Sequence, residues 1–480
     1  MKRISVLPIV VGLGLGAAAG NLAAQVTLMT LHSLSGNPSD GSDPQAGLVQ
    51  GNNGFFYGTT RQGGTNGQGT VFQISPSGSY TILYEFYNNG LHSDGEIPQA
   101  VLVQGNDGNF YGTTDGGGTS GDGAVFRISP SGSYTNLHFF SGRPDGADGA
   151  SGSYAGLIQG SDGNFYGTTS AGGTNTTDSQ GTVFQITTKG GVTILHSFIG
   201  PPEGYDPYAG LLQGSDGNFY GTTYAGGTNV GGYGTVFKLT TNGILTTLHS
   251  FGAGAANGGE PEGGLVQGTD GNLYGTTSLG GTHAVGTVFR ISPSGSYTNL
   301  YSFGSFTGDG GEPAAGLVQG SDGNFYGTTA LYGTHGSHGT VFRISPSGSY
   351  SNLYSFSGYP SEGSLPVAGL VQGSDGNFYG TTSQGGTNVC SCGTVFKLVV
   401  PLNPPANQIS AIQVAGTNVL VSIPSVAAEF YQLQYRDSLT VGEWSNVAGA
   451  FAKSIGGSLT VTNFGGFSQS QRFYRFAITL

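Results

Sequence analysis

The chain has 480 residues, a length that suits two to four domains. Glycine fills 92 positions and only 8% of residues are charged, against averages of about 7% and 25%; no G-x-y triplet runs through it, so collagen is excluded, as is charge-driven disorder. With 26 acids, 14 bases, no Lys/Arg stripe and two cysteines, nucleic acid is excluded as a partner, and neither a disulfide framework nor an unaided zinc site can be built.

The amino terminus reads as an export signal. Lys2 and Arg3 precede a run of apolar and small residues from Ile4 to Ala19, and Ala23 and Ala24 supply small residues before Gln25. This predicts a secretory signal peptide over 1–24; the run is short for a bilayer span of ~20 residues. The mature protein is expected to be secreted or held at the cell surface, not integral to the membrane, and monomeric.

A repeat follows. The phrase A-G-L-V-Q-G-S-D-G-N-F-Y-G-T-T, a Gly-rich stretch, and G-T-V-F-R-I-S-P-S-G-S-Y-T-N-L-Y-S-F recur seven times, anchored at Gly47, Val101, Gly156, Gly210, Gly264, Gly316 and Gly369. The spacings are 54, 55, 54, 54, 52 and 53. Each copy holds four short β runs, the first two joined by an Asp-Gly turn that demands positive φ and the last two by a Pro-Ser-Gly turn. Four antiparallel strands in such a period match one blade of a β-propeller. Before the first copy, Val26–Leu34 reads as a spare fourth strand, and after Val400 the seventh copy lacks one. Borrowing the one to complete the other closes the ring and removes its open edges. The expected fold is all-β: a seven-bladed propeller over 25–400, closed by an amino-terminal strand. The Gly after each F-Y or L-Y pair (Gly58, for instance) is expected to admit large aromatics of the next blade.

P-L-N-P-P at Pro401–Pro405 marks a linker over 401–407. Runs at Ile409–Val414, Val419–Ile423, Tyr431–Tyr435, Ser458–Thr462 and Arg472–Ile478 then suggest a small fibronectin- or immunoglobulin-like β-sandwich over 408–480, with Trp444 in its core. A spacer, docking or attachment role, or simple capping of the propeller, suits it equally.

The G-x-V-F-K-I and S-D-G-N-F-Y-G-T-T phrases resemble the GloVer tandem repeat, a family of exported bacterial repeat proteins, over about Val26–Val400. The resemblance implies a bacterial source, export and a propeller, and carries over no functional residue. Streptogramin lyase propellers share a looser likeness, D-G-N followed by an aromatic.

In a propeller of this order the short S-D-G-N and S-P-S-G-S turns occupy one face. The long, variable connections occupy the other, where function is expected. The fourth-to-first connections carry Asp40 and Asp43, Asp94 and Glu96, Asp145 and Asp148, Glu203 and Asp206, Glu260 and Glu262, Asp309 and Glu312, and Glu362 alone. These carboxylates are candidate ligand-binding residues: they can hydrogen-bond sugar hydroxyls, gather calcium or repel polyanions, or simply make turns. The S-D-G-N aspartates and the seven Gln residues from Gln50 to Gln372 read as structural, the latter tied to the adjacent blade. The outer-strand slot alternates His32, His138, His196 and His249 with Tyr84, Tyr301 and Tyr354, which points to packing. His335 and His338 are a weak candidate pair for metal or proton transfer, and Cys390 and Cys392 for a disulfide. No G-x-S-x-G, H-E-x-x-H or P-loop motif occurs, and no cofactor other than calcium is suggested. The expectation is therefore an exported, non-catalytic binding or scaffold propeller with a glycan or surface protein on its long-loop face. The alternatives are a glycosidase or polysaccharide lyase using rim carboxylates, Asp115, Asp122 and Asp178 being departures from the repeat, or a purely structural surface protein.

Overall fold

The computed structural model describes residues 26–36, 38, 40–88, 94–141, 149, 155–173, 180–252 and 257–400, then 411–415, 418–425, 430–436, 445–453, 457–463 and 473–479. The signal-peptide reading, the linker, Asp145, Asp148, Asp178 and Trp444 lie outside these residues. Val26–Val399 forms one compact unit, and the carboxyl-terminal strands belong to another.

The first unit is a ring of seven four-stranded antiparallel sheets. Blade one runs Val49–Gln50, Phe56–Thr60, Thr70–Ile74 and Tyr80–Glu85 from axis to rim. Blades two to six repeat that order. Blade seven takes Val371–Gln372, Phe378–Thr382 and Thr394–Val399 from the last repeat, and its outermost strand is Thr27–Ser33. Thr27 faces Val399 and Ser33 faces Thr394, with a register shift between Thr30 and His32. Blades one to six shift at the same place, between Val71 and Phe72 in blade one. The borrowed strand therefore reproduces even the bulge of a native fourth strand.

The core lies between blades. Tyr57, Val71 and Phe86 of blade one pack on Leu102, Phe110, Phe126 and Ile128 of blade two, and the closing seam joins Tyr379 and Val395 to Leu48, Phe56, Phe72 and Ile74. The F-Y pair explains the seam. Its Tyr stacks on the Phe of the next blade, as in Tyr57–Phe110 at 3.9 Å and Tyr379–Phe56 at 4.0 Å between centroids; in blade five Leu273 takes the Phe place. The following Gly packs within its own blade, which corrects the expectation of a neighbouring ring. A Cβ on Gly58 would lie 2.6 Å from Phe72 Cζ and 2.8 Å from Leu48 Cδ2. Overpacking of that kind costs ~1–3 kcal/mol. The two threonines then divide their work. Thr60 bonds Thr70 within the blade at 2.8 Å, and Thr381 donates to the Ala46 carbonyl of the next blade at 2.9 Å.

The carboxyl-terminal strands form two three-stranded antiparallel sheets. One orders Ala411–Ala415, Asn418–Ser425 and Gly457–Asn463; the other orders Ser445–Lys453, Phe430–Arg436 and Phe473–Thr479. Five of these overlap the expected runs. Ser445–Lys453, rich in Ala and Gly, was not expected from its sequence.

Candidate functional site

The tight-turn face is a bonded lattice. Each Asp of the S-D-G-N turn accepts the hydroxyl of its blade's Tyr, as Asp216 does from Tyr220 at 2.8 Å, and caps its own turn through Asn218 N at 3.1 Å. Lys238 and Lys397 reach Asp216 and Asp375 at 2.9 and 2.8 Å. Burial works against these two carboxylates, but the lysines and turn donors hold both well below the usual range. The Gln residues complete a closed ring. Gln104 Oε1 accepts from Asn52 N of the preceding blade at 2.9 Å, and Gln50 Oε1 accepts from Ser374 N at 2.8 Å across the closing seam. Both sets are structural.

On the opposite face the long connections are zipped together. Gly41–Ser42 pairs with Gln62–Gly63, and the same two-residue ladder recurs at Gly258–Gly259, Gly310–Gly311 and Gly363–Ser364. The candidate carboxylates fall here into distinct positions. The outer one precedes the Gly of the ladder and accepts from the His/Tyr slot of the outer strand. His32 bonds Asp40 at 2.9 Å, His196 bonds Glu203 at 3.0 Å and Tyr301 bonds Asp309 at 2.7 Å, while Tyr84 bonds Asp94 and Tyr354 bonds Glu362. Asp40 is 5% exposed and takes Ser35 N and Gly41 N as well. Burial opposes its charge, yet the His32 bond and these amides hold it below the ordinary carboxylate range. These acids pin the rim. Blade four departs: Asn257 stands at the acid position, its carbonyl accepting Gly281 N as Asp40 accepts Gly64 N. His249 Nε2 is then buried without a partner, and burial pushes its pKa down to about 4.

The inner position precedes a proline in six connections and bridges two blades. Asp43, Ile97, Asp206, Glu260, Glu312 and Leu365 all have φ between +53° and +58°. The backbone of Asp43 donates to Cys392 O at 2.9 Å and accepts from Arg61 N at 3.0 Å; Glu260 does the same with Tyr233 and Ser278. An Ile in the left-handed region is a genuine outlier for a β-branched residue. Glu96, one residue before Ile97, takes the Asn88 amide at 3.2 Å.

Just beyond the proline, the repeats diverge. Gln45, Gln99, Tyr208, Glu262, Ala314 and Val367 occupy one equivalent position, and with Tyr224 they line a single cavity of ≈ 450 Å³. The third repeat has Tyr154 there, outside the described residues. A cavity touched by six of seven blades lies on the axis, and these residues place it on the long-loop face. Its size falls in the ~300–1,000 Å³ range of small-ligand sites. Tyr208 and Tyr224 meet edge to face at 4.9 Å, and Tyr224 donates to Glu260 Oε2 at 2.8 Å. Burial, with Glu260 and Glu312 nearby, raises the Glu262 carboxyl above its ordinary value. Gln45 Nε2 donates to Asp43 at 3.1 Å, and Arg61 reaches the same carboxylate at 3.3 Å. In blade two Ile97 replaces that acid, and Gln99 Nε2 is buried with no acceptor. An orphaned buried donor costs ~1–3 kcal/mol.

Of the described sequence candidates, only Glu262 lines this cavity; Asp43 and Glu260 bond its walls. Cys390 and Cys392 are joined as a disulfide, Cα atoms 5.2 Å apart, in the connection that meets the closing seam through Cys392 O. His335 contacts Thr334 Oγ1 and Ser355 O. Among the described residues no three His, Cys, Asp or Glu side chains gather as a metal site, and no helix is long and apolar enough to cross a membrane.

A profile of the Gloeobacter/Verrucomicrobia repeat matches residues 20–200 and 153–396. No curated protein matches the chain. Several solved structures are similar in shape. The extracellular domain of a protein described as a hybrid two component system from B. thetaiotaomicron has a TM-score of 0.49 at 11% identity, covering 90% of this chain and 53% of that one. The corresponding domain of a one component system from the same organism scores 0.47 at 13% identity, with 90% and 54% covered. A protein described as a 6-phosphogluconolactonase from Bacteroides uniformis scores 0.43 at 14%, with 82% and 95% covered. The chain spans about half the length of the first two.

Proposed function

The chain belongs to the Gloeobacter/Verrucomicrobia repeat family, and from the way its seven repeats differ we propose that it is an exported, non-catalytic binding propeller whose ligand is a glycan seated in the axial cavity of the long-loop face. One observation carries the reading. The position after the proline is enclosed by neighbours that the fold holds fixed, yet it changes from Gln to Tyr, Glu, Ala and Val, and all these changes converge on one cavity. Amides, a carboxylate and a Tyr pair beside Ala314 and Val367 offer what a saccharide uses: hydrogen bonds for its hydroxyls and flat apolar surface for its C–H faces. The rim carboxylates shape the face rather than bind ligand, so calcium has no part in this reading. The carboxyl-terminal strands would serve as a docking or attachment module.

The test is a glycan array followed by titration with the best hits. Ala314→Trp and Val367→Trp, which fill the cavity, should abolish binding while the thermal midpoint holds. Unchanged binding in both would defeat the proposal and favour a protein ligand on the outer loops. A glycosidase reading has one observation behind it, since a carboxyl raised by burial suits a general acid. Polysaccharide turnover abolished by Glu262→Gln would establish it in place of simple binding.

A further inference from the structure

The two faces differ in charge. Among the described residues the tight-turn face carries six acids and six bases. The long-loop face carries 14 acids and one base, Arg61, and that base is already paired with Asp43 at 3.3 Å. A carboxylate-rich face is not by itself a site. What makes the axial cavity one is Gln99, only 7% exposed, whose amide nitrogen has no acceptor in the protein. Its equivalent Gln45 spends the same nitrogen on Asp43; blade two has lost that acid to Ile97 and left the donor for something else.

Resting on the glycan reading above, we propose that the cavity selects a saccharide unit bearing a free, protonated amine, its ammonium set against Glu262, with the buried Gln99 amide turning into the cavity to donate to a hydroxyl oxygen. Charge favours this class over the others. Glu262 lies within the influence of Glu260 and Glu312, and no described cation on this face is left unpaired to balance them. An ammonium relieves that crowding. A uronic or sialic acid would add to it, and a neutral or N-acetylated sugar would do neither. The Tyr208–Tyr224 pair supplies ring faces that attract both a cation and sugar C–H bonds.

Calorimetric titration of the full chain with a glucosamine tetramer, its fully N-acetylated counterpart and a β-1,4-glucose tetramer tests this. The amine-bearing oligomer should bind at least tenfold tighter than the other two. Glu262→Gln should erase that preference while leaving weak binding of the neutral oligomers. Gln99→Leu should weaken all three by a similar factor, and the thermal midpoint of each variant reports that the fold survives. Equal affinity for the free and acetylated oligomers, or a preference that survives Glu262→Gln, overturns the amine assignment and leaves the glycan reading standing. If none of the three binds and the array is silent, the glycan reading itself has failed. If a lysine-rich peptide competes as well as the glucosamine tetramer, the amine is recognised but the saccharide is not, and the proposal falls in favour of a cationic protein.

Discussion

Blade four offers a repair that can be weighed in advance. Five described blades bond the His/Tyr slot to an acid, but in blade four Asn257 holds the acid position and His249 Nε2 has no partner. Asn257→Asp should supply a charged acceptor for His249, because the backbone there already follows the course it takes at Asp40 and Glu362. A hydrogen bond to a charged group contributes ~1.5–3 kcal/mol; the partly exposed rim places this one near the lower end. With an unfolding entropy of ~2.1 cal/mol/K per residue, the propeller unit (Val26–Val399, 374 residues) gains ~2 °C in midpoint. The effect also has a pH signature. His249 is held at about 4, below the ordinary imidazole value of ~6.5. Between those values the unfolded chain takes up a proton that the folded chain refuses, so this group destabilises the native chain as pH falls. At pH 5 the loss, halved for solvent screening, is roughly 1 kcal/mol. An aspartate partner removes the penalty by giving the imidazolium a counter-ion. Scanning calorimetry of both proteins at pH 7 and pH 5 should therefore show the variant ahead at both and further ahead at the lower pH. A variant no more stable than the parent, or a gap that narrows in acid, would refute the pairing argument.

Deleting Val26–Leu34 should leave the Thr394–Val399 edge unpaired and drive association; light scattering would show oligomers, and a monomer with an unchanged midpoint would contradict ring closure. Gln213→Leu removes the bonds to Gly217 O and Ser161 N, so chemical denaturation should register a loss of roughly 1–2 kcal/mol while saccharide binding on the far face is untouched. Asp375 is depressed below the ordinary aspartate value of ~3.9, so its contribution is full above that pH and lost as pH falls below it. Asp375→Asn should accordingly be less stable than the parent at pH 7, with the difference shrinking toward pH 2, as acid titration of the midpoint would reveal.

Much of this fold is written locally, which is why it can be read from the chain. The Asp-Gly turn and the spare strand at Val26–Leu34 each declare a backbone requirement within a few residues, and seven copies average out the noise. The His/Tyr–acid pins were harder. His32 and Asp40 are eight residues apart, Tyr84 and Asp94 ten, and His196 and Glu203 seven. Their contact depends on a loop path that no fixed spacing encodes, so the two sets read as packing on one side and a possible ligand cluster on the other. Comparing repeats would have found the link, because the one slot with Asn257 in place of an acid is also where a His is left unpartnered. The axial position was missed for the opposite reason. Gln45, Gln99, Tyr208, Glu262, Ala314 and Val367 have no chemistry common to all six, and only their equivalent place, between a proline and a small residue, joins them.

That lack of shared chemistry is itself informative. At the rim each blade meets only its neighbours, so a changed residue there touches one seam and must still satisfy the same partners. At the axis the equivalent residues of the blades face a common space. Seven identical side chains would give a ring with seven equivalent ways to hold a ligand, whereas different ones fix a single orientation. Blade five carries the clearest sign of such differentiation. Its connection replaces the Ala of the other six repeats with Gly263, where a Cβ would come within 2.4 Å of the Ala315 backbone. Thr222 is there left without the carbonyl bond that Thr276 and Thr381 make. The chain thus gives up a seam hydrogen bond beside Glu262, the same blade that supplies the cavity's carboxylate. A scaffold position is surrendered next to a position whose chemistry has diverged, and the concession makes physical sense if the backbone there is placed for a ligand rather than for the ring.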